Sequence, residues 1–123
     1  MRAAGIEPPQ DLAEIDAASW DRTQAVNLRG PALIAKAALP WWTRRRSGSL
    51  VNNGSRTWLG GGHPDYAASK AGLVGLSRSL ALELAPIGVR SNAVAFLVSD
   101  QAARITGLVL HVCACSQLPL FLT

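Results

Sequence analysis

Tyr66 and Lys70, in the run Tyr66-Ala67-Ala68-Ser69-Lys70, are side chains whose types and spacing suit proton transfer. On a helix, residues four apart face the same way. A phenol with an ordinary pKa of about 10 is a poor acid or base near neutrality, and lowering it by about three units requires roughly 4 kcal/mol of preference for phenolate. An ammonium one turn away supplies a charge of the required sign. The same spacing also suits a tyrosine packed on a sheet beside a solvated lysine, so the neighbouring residues decide between the two readings. Ser55 lies eleven positions before Tyr66, just past the short run Ser49-Leu50-Val51-Asn52-Asn53. Asn27 lies further upstream in Val26-Asn27-Leu28. Asn27, Ser55, Tyr66 and Lys70 make a four-residue constellation.

The elements that must position these groups alternate between helix and strand. The pattern predicts a loop to Ala18, a helix from Ser19 as N-cap to about Arg45 with a kink at Pro31, and a strand from Ser49 to Asn53. Gly60-Gly61-Gly62 lets the chain turn back. A long helix is expected from about Pro64 to Leu84, stopped by Pro86 and Gly88, then a strand from Val89 to about Ala95. A short helix near Asp100 to Arg104 and a strand from Leu108 to Val112 complete the reading. Such alternation implies an α/β fold built on a parallel sheet. Right-handed crossovers running one way across the sheet put both long helices on the same face. Three strands of about five residues at about 4.8 Å spacing leave some hundreds of Å² of apolar sheet bare, and the isolated chain is expected to be partly molten, associated or aggregated.

An Asn in a helix, a Ser past a strand and Tyr-x-x-x-Lys resemble the catalytic tetrad of the short-chain dehydrogenase/reductase family. The running text is similar too: Trp20-Asp21 before Val26-Asn27-Leu28-Arg29-Gly30, then Ala38-Leu39-Pro40 and Gly48-Ser49-Leu50-Val51-Asn52. Tyr66 to Glu83, Gly88-Val89-Arg90-Ser91-Asn92-Ala93-Val94-Ala95, Phe96-Leu97-Val98-Ser99-Asp100 and Ile105-Thr106-Gly107 continue it, so that it spans residues 4 to 112. A 3-oxoacyl-[acyl-carrier-protein] reductase-like subgroup is one possibility within it. The resemblance implies a partial Rossmann-like doubly wound sheet and oxidation of an alcohol or reduction of a carbonyl with NAD or NADP. It implies that Tyr66 is the general acid/base, that Lys70 lowers its pKa and holds the nicotinamide ribose, and that Ser55 hydrogen-bonds the substrate oxygen. Asn27 would anchor a water in the proton relay. Pro31 supports that last role from the residues alone: it has no N–H, and the helical partner it would have bonded is the Asn27 carbonyl.

The departures from the family are equally specific. Its glycine-rich Thr-Gly-x-x-x-Gly-x-Gly turn, which carries the coenzyme pyrophosphate on backbone N–H groups, has no counterpart here. Ala3-Ala4-Gly5-Ile6 is similar to the family's Asn-Asn-Ala-Gly turn beyond the fourth strand, so the chain is expected to lack the coenzyme half. Gly60-Gly61-Gly62 lies in the wrong loop to replace it. The segment that covers the substrate in relatives is also missing, and its two ends meet near Ala93-Val94-Ala95. Ser55 is slightly closer to Tyr66 than in relatives, and Gly54 replaces a usual Ser. Residues 1–112 thus read as a partial catalytic domain and 113–123 as a divergent tail.

Composition limits the remaining possibilities. At 123 residues and 49% hydrophobic content the chain is one domain at most. Neither a signal peptide nor an apolar run of about 18 residues is present, so no membrane is expected and the default location is cytoplasmic. The net charge is +4, and Trp41-Trp42-Thr43-Arg44-Arg45-Arg46 sets aromatics beside a basic run. A solvated helix C-terminus explains that run without nucleic acid. Cys113 and Cys115 lack the second ligand pair of a structural zinc site, and neither His63 nor His111 has ligand spacing. Trp58 after Ser55 suits either an apolar substrate pocket or core packing. The expected partners are a small alcohol or carbonyl substrate and either further copies of the chain or a full-length relative. A non-catalytic interaction protein docking through its two long helices, or a gene fragment without function, are the alternatives to an enzyme.

Overall fold

The computed structural model describes residues 5–8, 10–60 and 62–93. After a 3₁₀ turn at Leu12–Glu14 come helix α1 (Ala17–Gln24), a π turn (Ala25–Arg29) and helix α2 (Gly30–Arg45). Strand β1 (Gly48–Val51), a 3₁₀ turn (Arg56–Leu59), helix α3 (Pro64–Leu84), another 3₁₀ turn (Ala85–Ile87) and strand β2 (Val89–Asn92) follow. The strands pair in parallel, with Gly48 opposite Val89 and Val51 opposite Asn92. Beyond the strand ends, Asn52 N–H donates to the Asn92 carbonyl at 2.7 Å. β1, α3 and β2 therefore form one strand–helix–strand crossover, the unit of an α/β parallel sheet.

α1 starts earlier than the sequence suggests. Asp16, not Ser19, is the N-cap, and its carboxylate accepts the Ser19 N–H at 2.7 Å. Ser19 is the reciprocal partner, its hydroxyl oxygen accepting the Asp16 N–H at 3.1 Å. Either Asp or Ser can cap, and the reciprocal box settles the choice for Asp16. The kink expected at Pro31 is the π turn before it, where Gly30 N–H bonds the Ala25 carbonyl five residues back. Pro40 is accommodated inside α2, which is capped by Arg46 in the left-handed region.

Packing centres on α3. Leu73, Val74, Ala81 and Leu84 are buried on it, together with Val89 and Ala93 from the second strand segment and Ala35 of α2. α3 packs on β2, on α1 and on the π turn. Gly72 allows the π turn to approach, since a Cβ there would stand 2.7 Å from Leu28 Cδ2. Asn52 Nδ2 donates to Ser77 Oγ at 2.8 Å, tying the end of β1 to the same helix. Gly60 adopts φ +109, the turn expected of that loop. Val94 and Ala95, the short helix near Asp100, the strand from Leu108 to Val112 and the tail lie outside the described residues.

Candidate active site

α3 carries Tyr66 and Lys70 one turn apart on the same face. Lys70 is 3% exposed, and its Nζ lies 5.4 Å from the centroid of the Tyr66 ring. The ammonium donates to the Asn53 carbonyl at 2.8 Å, just past β1. Gly5 stands on its other side, where an added Cβ would come within 3.8 Å of Nζ. Burial disfavours the charged form and pushes the Lys70 amine below its ordinary 10.5, while the negative charge of Glu7 opposes that shift.

Asn27 approaches the same place from the π turn. It is 1% exposed, and its amide bonds the Ile6 backbone in both directions. Ile6 N–H donates to Oδ1 at 2.9 Å, and Nδ2 donates to the Ile6 carbonyl at 2.8 Å. Nδ2 also donates to Ser69 Oγ at 3.1 Å, and the Ser69 hydroxyl donates to the Tyr66 carbonyl at 2.7 Å. The side chain thus joins the Gly5–Ile6 segment, the π turn and α3. Its backbone carbonyl is a separate matter. Pro31 has no N–H to give, and the N–H it lacks would serve Asn27 in the ordinary helical register or Val26 in the wide one.

Ser55 is half-buried at the start of the 3₁₀ turn Arg56–Leu59, which packs against α3. Its Oγ accepts the Thr57 N–H at 3.3 Å and shares a proton with Thr57 Oγ1 at 2.8 Å. If Thr57 donates to it, the Ser55 hydroxyl retains its own proton for another acceptor. Asn27, Tyr66 and Lys70 are therefore linked through Ser69 and by direct approach, and Ser55 stands on a neighbouring loop with local partners. Among the described residues no group of three or more His, Cys, Asp or Glu could hold a metal. His63 precedes α3 in the left-handed region with φ 62, and its Nδ1 accepts the Gln10 N–H at 3.1 Å.

Thr23, Asp65 and Ser69 escape the sequence reading. Thr23 and Asp65 are fully buried, and Thr23 Oγ1 donates to Asp65 Oδ2 at 2.7 Å. Gln24 Nε2 donates to the Asp65 carbonyl at 2.9 Å. A signal for this existed: Thr23 is one turn before Asn27, and Asp65 lies in the first turn of a helix, where a carboxylate is favoured.

Comparison with known proteins bears on the family and the fold. Residues 1–95 fit the family pattern described as enoyl-(acyl carrier protein) reductase. The chain is 42% identical over 93 residues to a (2S)-[(R)-hydroxy(phenyl)methyl]succinyl-CoA dehydrogenase subunit, BbsD, of Thauera aromatica, covering 75% of this chain and 38% of that one. It is 38% identical over 94 residues to the 3-oxoacyl-[acyl-carrier-protein] reductase FabG of Thermotoga maritima, with the same two coverages, 75% and 38%. The chain thus spans well under half the length of these curated relatives. A crystal structure of a short-chain dehydrogenase/reductase family oxidoreductase from Burkholderia thailandensis superposes with a TM-score of 0.85 at 28% identity, over 89% of this chain and 61% of that one. With the family pattern covering most of its length and a helix-borne Tyr66–Lys70 pair in the matching segment, this chain belongs to the short-chain dehydrogenase/reductase family.

Proposed function

We propose that the chain supplies the proton-transfer half of an NAD(P)-dependent oxidoreductase that interconverts an alcohol and a carbonyl. The observation that carries this reading is the buried Lys70 ammonium 5.4 Å from the Tyr66 ring centroid. In the carbonyl-reducing direction the Tyr66 hydroxyl gives its proton to the substrate oxygen, and in the other direction the phenolate takes the alcohol proton. Lys70 is proposed to stand beside that phenol and hold the nicotinamide ribose. Ser55 is proposed to donate a hydrogen bond to the substrate oxygen, with Thr57 holding the hydroxyl in place. Asn27 is proposed to contribute its backbone carbonyl to a water in the relay, its amide being fully committed to Ile6 and Ser69.

The nicotinamide ribose end of the coenzyme is proposed to meet the Lys70 ammonium and the Tyr66 hydroxyl; the sequence holds no glycine-rich Thr-Gly-x-x-x-Gly-x-Gly turn for its pyrophosphate. The coenzyme, when bound, supplies the hydride acceptor or donor. The curated relatives above are named as a succinyl-CoA dehydrogenase subunit and a 3-oxoacyl-[acyl-carrier-protein] reductase, and a carrier-linked substrate of that kind is proposed here. Titration with NADH and NADPH, followed by nicotinamide fluorescence, tests the reading. Saturable binding that Lys70→Ala weakens supports it. The absence of binding up to millimolar coenzyme overturns it for this chain alone.

A second reading has one observation in its favour. Leu33, Ile34 and Trp41 of α2 and Leu82 of α3 are 56%, 65%, 58% and 81% exposed. Such residues suit docking onto a full-length relative, so the chain would act as a partner rather than as a catalyst. Co-purification with such a relative, lost on Ile34→Lys, is the corresponding test.

A further inference from the structure

Tyr66 is gripped on both sides by side chains that the proton-transfer chemistry does not use. The carbonyl just before it, on Asp65, accepts from Gln24 Nε2, and its own carbonyl accepts from the Ser69 hydroxyl. Ser69 in turn accepts from Asn27, and Asp65 Oδ2 accepts from Thr23 at 2.7 Å. Thr23, Gln24 and Asn27 are spaced i, i+1, i+4, as are Asp65, Tyr66 and Ser69, so the facing stripes of two helices interlock.

The Thr23–Asp65 contact is the deepest part of this arrangement. Both residues are 0% exposed. Asp65 Oδ1 has no hydrogen-bond partner among the described residues. A carboxylate removed from water with only one oxygen satisfied is unfavourable unless its surroundings compensate. Here the first turn of α3 offers positive potential, and the short hydroxyl contact is charge-assisted. A hydrophobic pair would fill the same space without the desolvation penalty, but it would not fix the rotation and height of α3 against α1 in the directional way a hydrogen bond does.

We propose that Thr23 and Asp65 are positioning residues for Tyr66, a buried clamp that sets where the phenol stands relative to Lys70. The proposal rests on the reading of Tyr66 as proton donor and acceptor. Thr23→Val keeps the shape and removes the donor, and Thr23→Ser keeps the donor and removes a methyl. Tyr66 is the only tyrosine of the chain, so the nuclear Overhauser contact between its ring and the Lys70 ε-methylene can be followed without ambiguity.

The contact is expected to be lost in Thr23→Val and retained in Thr23→Ser, with NADH affinity about tenfold weaker in Thr23→Val only. A contact unchanged in Thr23→Val overturns the proposal. So does equal loss in both variants, which would mean that packing rather than the hydrogen bond places the ring. Should Thr23→Val not fold, Asp65→Asn decides, because its amide oxygen still accepts the Thr23 proton: the contact persists if the clamp is real, and its disappearance refutes it. The ring contact is read without coenzyme, so a parent chain that takes up no NADH overturns the assignment of function while the clamp is still decided by the spectra.

Discussion

Replacing Asn27 by Ala should open the cover over Lys70 and restore that amine to water. The Asn27 amide makes three hydrogen bonds, two part-buried ones with the Ile6 backbone and a buried one with Ser69. At about 1 kcal/mol net for each, their loss destabilises the fold by roughly 3 kcal/mol. For a domain of this size that is a fall in Tm on the order of 10 °C or more. The Gly5–Ile6 segment then loses the side chain that holds it beside Lys70 Nζ. The amine, now hydrated, should titrate closer to 10.5, upward from its buried position. The pH dependence of stability follows from the same shift. Below the folded-state pKa both states hold the proton, and folding bears the full cost of burying an ammonium. As pH rises from the folded pKa towards 10.5, the folded form sheds its proton first, so stability increases over that window. Asn27→Ala should flatten this rise. The assay is carbon NMR of ε-labelled lysine, in which Lys36 gives the other resonance, paired with thermal unfolding by tryptophan fluorescence at fixed protein concentration. A Lys70 titration that does not move, or a stability loss below about 0.5 kcal/mol, would refute the claim that Asn27 holds the cover in place.

Gly88→Ala should unfold or severely weaken the strand–helix–strand unit, because φ is +73 and the new Cβ meets the Arg46 carbonyl oxygen; circular dichroism should show a loss of about 2–4 kcal/mol or more. Gly48→Ala places a Cβ 2.5 Å from Trp42 ring atoms, so about 1–3 kcal/mol should be lost and the Trp42 emission should change, whereas an unchanged stability would mean the ring moves aside freely. Asp16 titrates below its ordinary 3.8, chiefly because the Ser19 backbone N–H bonds its carboxylate; this cap is present above 3.8 and lost as pH falls through the lower folded value, so Asp16→Ala should abolish an acid-induced fraying of α1 seen by amide exchange. Pro31→Ala adds an N–H to the π turn and should stabilise the helix by about 1–3 kcal/mol with a slowly exchanging amide at position 31; a fast amide there would show that the carbonyl opposite is already engaged.

The part of the fold legible in the sequence is the part governed by local rules. Pro64, Pro86 and Gly88 bracket α3, and its bounds emerge at Pro64–Leu84 as expected from start and stop residues alone. β1 begins at Gly48 and ends at Val51, two residues earlier than Asn53, because Asn52 and Asn53 turn towards α3: Asn52 reaches Ser77, and the Asn53 carbonyl accepts from Lys70. Tertiary demand of that kind has no trace in a hydrophobic run. The π turn is equally hidden. A proline announces a disturbance in a helix, but whether a kink or an inserted residue absorbs it depends on what the next helix requires. Here Leu28 meets Gly72 and Asn27 meets Ser69, both on α3.

The candidate site divides along the same line. Tyr66 and Lys70 are readable because residues four apart on one helix share a face, a relation that local spacing announces. Thr23 and Asp65 are not, because they lie 42 positions apart with the π turn, α2, β1 and a 3₁₀ turn between them. The hydroxyl and carboxylate make chemical sense only as a pair. The readable residues move the proton in the proposed reaction, and the unreadable ones decide whether the phenol stands where that proton is needed. A variant that keeps Asn27, Ser55, Tyr66 and Lys70 but loses Thr23 would retain the full motif. On the geometry found here its phenol would nevertheless be less well held, since two of the side chains that lock α3 to α1, Thr23 and Gln24, act on Asp65 rather than on the four motif residues.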